Sequence, residues 1–331
     1  MMEHRVQCKL MGSAFELLLI HPDKVRARHL LEIGIDEIRR IEKLLSEFLP
    51  ASETYRINHH HGKEPLQIDQ ECFDLVERCL HISKLTRGCF DISVGPLKKL
   101  YSFKNDLFEF PSPGLIHDTL KSVGYSNIEL DRERRTILFK RPGMRISFAA
   151  IGKGYASDRV KSLWQENGLK SGYINASGDL NAFGSRPDGR SWKIGIANPD
   201  DKNRVLFYTP LSNASAATSG DYEQFFIHHG KRFSHNINPH TGLPLTGIKS
   251  VTVFSPRAEL SDALATAIYV MGKKDGIAFA NQLPHTHCII IDDQNKTYFS
   301  KNLKYEESYP QDHGLPALSV LPAVLHQSET L

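Results

Sequence analysis

The segment HLLEIGIDEIRRIEKLLSEFL, residues 29–49, constrains the fold more than any other. Its apolar residues fall at 30, 31, 33, 35, 38, 41, 44, 45 and 48, with charge on the opposite side. That is an amphipathic helix with one face to be covered, and Pro50 is expected to stop it. CFDLVERCLHISKLTRG, 72–88, and KGYASDRVKSLWQENG, 153–168, predict two more helices, each closed by a glycine. SDALATAIYV predicts another over 261–271, and KDGIAFANQL a further one. Strand-like runs lie between them: residues 6–20, broken at Met11 and Gly12, then GYINAS, WKIGIANP and VLFYTPL, then SVTVFS at 250–255, and finally HCIIIDD. The strands come in groups rather than in strict alternation with helices, which predicts an α+β fold and not a doubly wound sheet. The Pro-rich, polar stretch after about residue 305 is expected to be partly disordered.

Composition excludes more than it assigns. With 331 residues, 40% of them hydrophobic, the chain can bury a sizeable core. A formal net charge of +3 demands neither nucleic acid nor an acidic surface as partner. The basic run RERR, 132–135, reads as a solvated turn. No stretch approaches the roughly 20 apolar residues of a membrane span, and FELLLI, 15–20, is too short. The start MMEHRVQCKL carries no signal-peptide pattern, so a cytoplasmic location is expected. None of Cys8, Cys72, Cys79, Cys89 and Cys288 forms a CxxC pair, so they read as reduced residues rather than a zinc cluster.

Several stretches carry residue types suited to chemistry. Asp262 and Thr266 stand four apart, hence on one helical face. Ser261 or Asp262 as a helix cap, with Thr266 bonding back one turn, accounts for them; so does a site for a hard cation such as Mg²⁺, which prefers oxygen ligands. FAAIGKGYASD, 148–158, puts small residues and Lys153 at a helix start, which suits either an anion or tight helix packing. It is neither a Walker A loop nor a Rossmann fingerprint. Asp179 in NASGDLNAFG lines a ligand site or builds a turn. HHH at 59–61 reads as surface loop, since three consecutive side chains cannot converge on one ion. Of sixteen histidines, His235 lies in an unusually polar, turn-rich stretch, SHNINPHTG.

Taken in order, MGSAF, RIEKLLSEF, SETYRIN, GCFDISVGPL, AAIGKGYASD, YINASGDLNAFG, WKIGIANP, ATSGDYEQFF, RFSHNINPHTGLP and SDALATAIYVMG resemble the FAD:protein FMN transferases, the ApbE family, from about residue 11 to about 295. The resemblance implies a mixed or antiparallel sheet core with flanking helices, of T-fold-like kind, in one domain over 6–305 with a tail at 306–331. It implies Mg²⁺ held by Asp262, Thr266 and the backbone carbonyl of Ala150, and FAD as substrate. Met11, Phe48, Phe90, Asp91, Ile92, Ser147, Lys153, His235 and Leu245 match flavin-binding positions, with His235 and Asp262 as the catalytic pair. Phe48 stands where some members carry Tyr, which keeps the stacking face and loses a hydroxyl.

The family's DLGGIAKG reads here SFAAIGKG, so Ser147 replaces an Asp expected to hold FAD, and restoring Asp at 147 is expected to tighten binding. The implied reaction is transfer of FMN from FAD to a Ser or Thr hydroxyl of an acceptor flavoprotein, a subunit of a redox complex, with release of AMP. FAD pyrophosphatase activity giving free FMN and AMP, or flavin binding without turnover, are the alternatives.

Overall fold

The structure, a computed structural model, describes residues 1–60, 64–101, 110–220, 225–307 and 318–319, with the backbone alone at Lys202, Leu318 and Ser319. β1 (Met2–Leu10) and β2 (Ser13–His21) form a hairpin with Leu10 opposite Ser13. Its two-residue loop, Met11 and Gly12, has positive φ at both positions, 51° and 70°, the geometry that matches the twist of paired strands. The break expected at Met11 and Gly12 is where the Met-Gly pair reverses the chain between two strands. β3 (Gly172–Ala176) and β4 (Asp179–Phe183) form a second hairpin of the same kind through Ser177 and Gly178, at φ 53° and 104°.

β5 (Trp192–Asn198) and β6 (Asp201–Leu211) follow, then β7 (Ala214–Gly220), β8 (Ile248–Ser255), β9 (His287–Asp292) and β10 (Thr297–Phe299). The main sheet has eight strands in the order β1-β2-β3-β4-β7-β8-β9-β10, and every neighbouring pair is antiparallel. β5 and β6 form a second sheet with Glu306–Glu307 and Leu318–Ser319. The rest of the tail, 308–317 and 320–331, lies outside the described residues.

Helices α1 (Lys24–Leu45), α3 (Gly152–Glu166) and α4 (Ala258–Ala280) cover one face of the main sheet, and α2 (Gln70–Leu85) joins the same core. The second sheet covers the other face. Along β2, Phe15, Leu17 and Leu19 enter the helix-side core, while Leu18 and Ile20 meet Tyr173, Trp192, Ile194 and Ile196 on the sheet side. A strand buried on both faces needs an unbroken apolar run, which β2 has over 17–20, LLLI. Among the described residues no helix is long and apolar enough to cross a membrane.

Helix ends differ from the pattern-based expectation where side chains, not periodicity, set them. α1 begins at Lys24 because the Asp23 carboxylate accepts the Val25 and Arg26 N–H groups at 2.8 and 3.2 Å. It stops at Leu45, before Pro50, because Ser46 turns extended and its hydroxyl accepts the Phe48 and Leu49 N–H groups, both at 3.2 Å. The two helices expected at 261–271 and in KDGIAFANQL are both present within the span labelled α4, separated by the non-helical Gly272 with φ 83° and ψ 177°, and the first begins at Ala258.

Beyond that break Lys273 donates to Asp292 at 2.9 Å, and the Lys296 and Gln294 N–H groups and the Tyr298 hydroxyl also reach this carboxylate. Burial alone would raise the Asp292 pKa, but these donors outweigh it and hold the group at about 2. A depressed carboxyl stabilises the fold above its unfolded pKa and loses that contribution as pH falls through its folded one. Asp292→Asn is therefore expected to cost about 1–2 kcal/mol at neutral pH, and the difference from wild type should vanish between roughly pH 4 and pH 2. Urea unfolding of both proteins across that range checks it.

Candidate functional site

The site begins where α3 presses on α4. A Cβ on Gly154 would sit 2.3 Å from the Ala258 carbonyl oxygen, so no larger residue fits this crossing. One turn on, the Asp158 carboxylate accepts the Ala258 and Glu259 N–H groups, both at 3.0 Å, and so caps α4 from outside. The expectation that Ser261 or Asp262 caps this helix is corrected by that contact. α4 starts three residues before Ser261, whose hydroxyl instead meets those of Ser215 and Ser255 at 2.8 Å.

Asp262 then points at α3 and accepts the Gly154 N–H at 3.2 Å. A regular helix would take that N–H to the carbonyl of Ala150, four residues back. Thr266 does not bond back one turn either; its hydroxyl pairs with Ser219 on β7 at 3.1 Å. The reading of GKG as a packing device is thus met at Gly154. Gly152, by contrast, floors a cavity.

Asp262 is buried, and its pKa is pushed up to about 7, by burial first and by the nearby Asp179 second; Lys153, the Gly154 N–H and Lys98 oppose the shift. Lys153 meets Asp179 at 2.9 Å, and Asp179 also accepts the Thr218 N–H at 2.9 Å. The turn Ser177–Gly178 delivers Asp179 there, so this residue both ends a turn and faces the site. Lys98 is half-buried; burial lowers its pKa, against the attraction of Glu47 and Asp262.

Two carboxylates thus share one low-dielectric corner, and a divalent cation would ease the repulsion between them that Lys153 and Lys98 only partly offset. Among the described residues no group of three His, Cys, Asp or Glu side chains converges on a metal position. An ion at Asp262 would therefore draw on neutral oxygens, of which the Thr266 hydroxyl, one helical turn on and paired with Ser219, is one, and Mg²⁺ accepts oxygen donors of that kind. The donor chemistry fits Mg²⁺.

The cavity next to this corner holds about 360 Å³ and is lined by Met11, Glu47, Phe48, Phe148, Gly152 and Lys153, among others. Lys153 belongs to both the cavity and the acidic corner. Phe48 is 86% exposed at the lip, a large apolar ring left to solvent. Met11 is fixed in its turn by donating its N–H to Glu42 at 2.8 Å. A Cβ on Gly152 would lie 3.4 Å from the Met11 methyl, so the glycine keeps the floor low.

Six of the residues matched to flavin-binding positions take other surroundings than the cavity's open lining. The side chains of Phe90 and Ile92 are buried in the core, and the Asp91 carboxylate is engaged by the Ser93 N–H and hydroxyl and the Tyr125 N–H at 2.8, 2.6 and 2.8 Å. What this segment offers the site is a carbonyl: Ile92 accepts the Ser147 N–H at 2.8 Å. At Ser147 a carboxylate was expected to be missing, yet the Ser147 hydroxyl donates to the Glu47 carboxylate. His235 and Leu245 are not among the cavity's lining residues; His235 lies in the bend just after the strand Lys231–Ser234, where Leu245 is held against the flanking residues by Ser234 N–H to Leu245 C=O and Leu245 N–H to Asn236 C=O, at 2.8 and 2.9 Å. Sequence reasoning passed over Glu47 and Lys98 altogether, because neither breaks a periodicity or completes a motif.

The ApbE family model matches residues 11–290. The chain belongs to the ApbE family. It is 29% identical over 301 residues to the FAD:protein FMN transferase of Vibrio cholerae, covering 89% of this chain and 90% of that one. To the FAD:protein FMN transferase of Salmonella typhimurium it is 30% identical over 270 residues, 80% and 77% of the two chains. The crystal structure of the ApbE protein from Thermotoga maritima superposes with a TM-score of 0.84 at 29% identity, over 91% of this chain and 97% of that one. The enzyme class expected from the motifs, a flavin transferase, is the class of the relatives that this ApbE-family chain matches.

A buried carboxylate beside another carboxylate is a local cost to the metal-free fold. Asp262→Asn keeps an acceptor for the Gly154 N–H and removes the charge, so it is expected to stabilise the metal-free protein by about 1–2 kcal/mol. Thermal unfolding in EDTA checks this; a lower melting temperature would show that the carboxylate is well accommodated as it stands.

Proposed function

We propose that this ApbE-family protein transfers FMN from FAD to a Ser or Thr hydroxyl of an acceptor flavoprotein, a subunit of a redox complex, and releases AMP, with Mg²⁺ held by Asp262, Thr266 and the Ala150 carbonyl. The observation that carries this reading is the acidic corner at Asp262 and Asp179, joined through Lys153 to a cavity with an aromatic ring at its lip. The acceptor oxygen attacks the FMN-side phosphorus, the bond from that phosphorus to the bridging oxygen breaks, and AMP leaves with the bridging oxygen. Mg²⁺, when bound, supplies positive charge against the pyrophosphate oxygens and the charge developing on AMP. Lys153, already anchored on Asp179, offers its ammonium to the same phosphates. Phe48 and Met11 hold a flat ring at the cavity mouth. His235, with an imidazole suited to neutral pH, takes the proton of the attacking hydroxyl. Its chain neighbours Ser234 and Asn236 are both hydrogen-bonded to the Leu245 backbone, which holds the bend that carries it.

Incubation with FAD, Mg²⁺ and an acceptor fragment, followed by mass spectrometry, separates the outcomes. Flavin covalently on the acceptor together with AMP is the expected result. AMP with free FMN would mean a pyrophosphatase, and intact FAD a binding protein. Loss of the general base is expected to slow single-turnover transfer by about 10²–10⁴-fold in His235→Asn while FAD affinity stays within a few-fold. Rapid-quench measurements at saturating FAD give the rate; an affinity collapse with an unchanged rate would make His235 a binding residue only.

A further inference from the structure

Ser46 ends α1 and turns the chain so that Glu47 and Phe48 reach the cavity together. The buried Ser147 hydroxyl donates to one Glu47 oxygen, and among the described residues this is the only hydrogen bond the carboxylate makes. Ser147 is itself pinned through its N–H to the Ile92 carbonyl at 2.8 Å. The carboxylate is therefore oriented by a fixed group, and its remaining lone pairs are left for whatever enters the cavity. The other acid in the lining, Glu42, is occupied by the Met11 N–H at 2.8 Å. An ionised carboxylate only accepts hydrogen bonds, so its complement is an N–H donor. Beside the Phe48 and Phe148 rings, that donor belongs to a flat heterocycle.

We propose that Glu47, oriented by Ser147, is a binding residue that accepts a hydrogen bond from an N–H group carried by one of the heterocycles of the bound flavin nucleotide. This rests on the flavin reading above. Such donors occur on both rings of FAD, the imide of the flavin and the amino group of adenine. It also reverses the expectation for position 147. With Glu47 already present, an Asp at 147 sets two carboxylates against each other, which disfavours the charged pair, so it weakens binding instead of restoring it.

The test is fluorescence titration of the full chain with FAD, FMN and ADP in EDTA, where turnover is stopped, with melting curves confirming that each variant is folded. Glu47→Gln keeps an acceptor for the Ser147 hydroxyl and is expected to weaken FAD binding by about tenfold or more. Ser147→Asp alone is expected to weaken it as well, and the double variant E47Q/S147D to recover to within about threefold of wild type. A loss seen with FMN and not ADP assigns the flavin imide; the opposite assigns the adenine amino group. Unchanged affinity in Glu47→Gln, or tighter binding in Ser147→Asp, overturns the inference while leaving the transferase reading intact. Wild-type protein that takes up no flavin nucleotide overturns both.

Discussion

The contact on which the rest of the site depends is the bare approach of Gly154 to the backbone of Ala258. Two helices touch there without a side chain between them, and the Asp158 carboxylate locks the contact by taking the first two amides of α4. Because the cap comes from α3, the early residues of α4 are released from capping. Asp262 spends its carboxylate on α3 instead, and Thr266 lies one turn further along, against β7. The position of a candidate metal site thus follows from a packing constraint rather than from any local preference of SDALATAIYV.

The same arrangement sets the electrostatics. The sheet contributes Asp179 from the end of a tight hairpin, and α3 contributes Lys153 from its first turn, so charge converges on one point from three elements. Burial then makes each charge count, since the low-dielectric side of the sheet screens poorly. Elsewhere the protein satisfies its buried carboxylates with donors, as at Asp91 and Asp292. At Asp262 burial and the neighbouring Asp179 outweigh Lys153, Lys98 and the Gly154 N–H and leave the carboxyl well above its ordinary range, the kind of local inconsistency found at sites kept for function.

The cavity makes a related point about motifs. Position 147 departs from the family pattern, and taken alone the Ser reads as a loss. In space it is half of a pair, with the carboxylate arriving from the end of α1, a hundred residues earlier in the chain. Conversely, Asp91 keeps a motif residue whose carboxylate is wholly engaged in holding a turn. The identity of a residue at a motif position says less than where its polar atoms end.

What the sequence determined by itself was the inventory and its order. The α+β class, the amphipathic faces of α1, α2 and α3 and the collinear motif blocks are all local patterns, repeated every two or three to four residues, and such patterns survive without knowledge of the partner. Helix ends were less legible, because Asp23 and Ser46 act through single hydrogen bonds that periodicity does not register. Only the tertiary structure decided that Asp158 caps α4, that Asp179 lies beside Asp262, and that Glu47 and Ser147 face one cavity. Each of these joins residues far apart in the chain, 100 positions in the cases of Asp158 with Ala258 and of Glu47 with Ser147. Interactions over that separation depend on how the helices pack on the sheet, and a one-dimensional pattern carries no record of that packing.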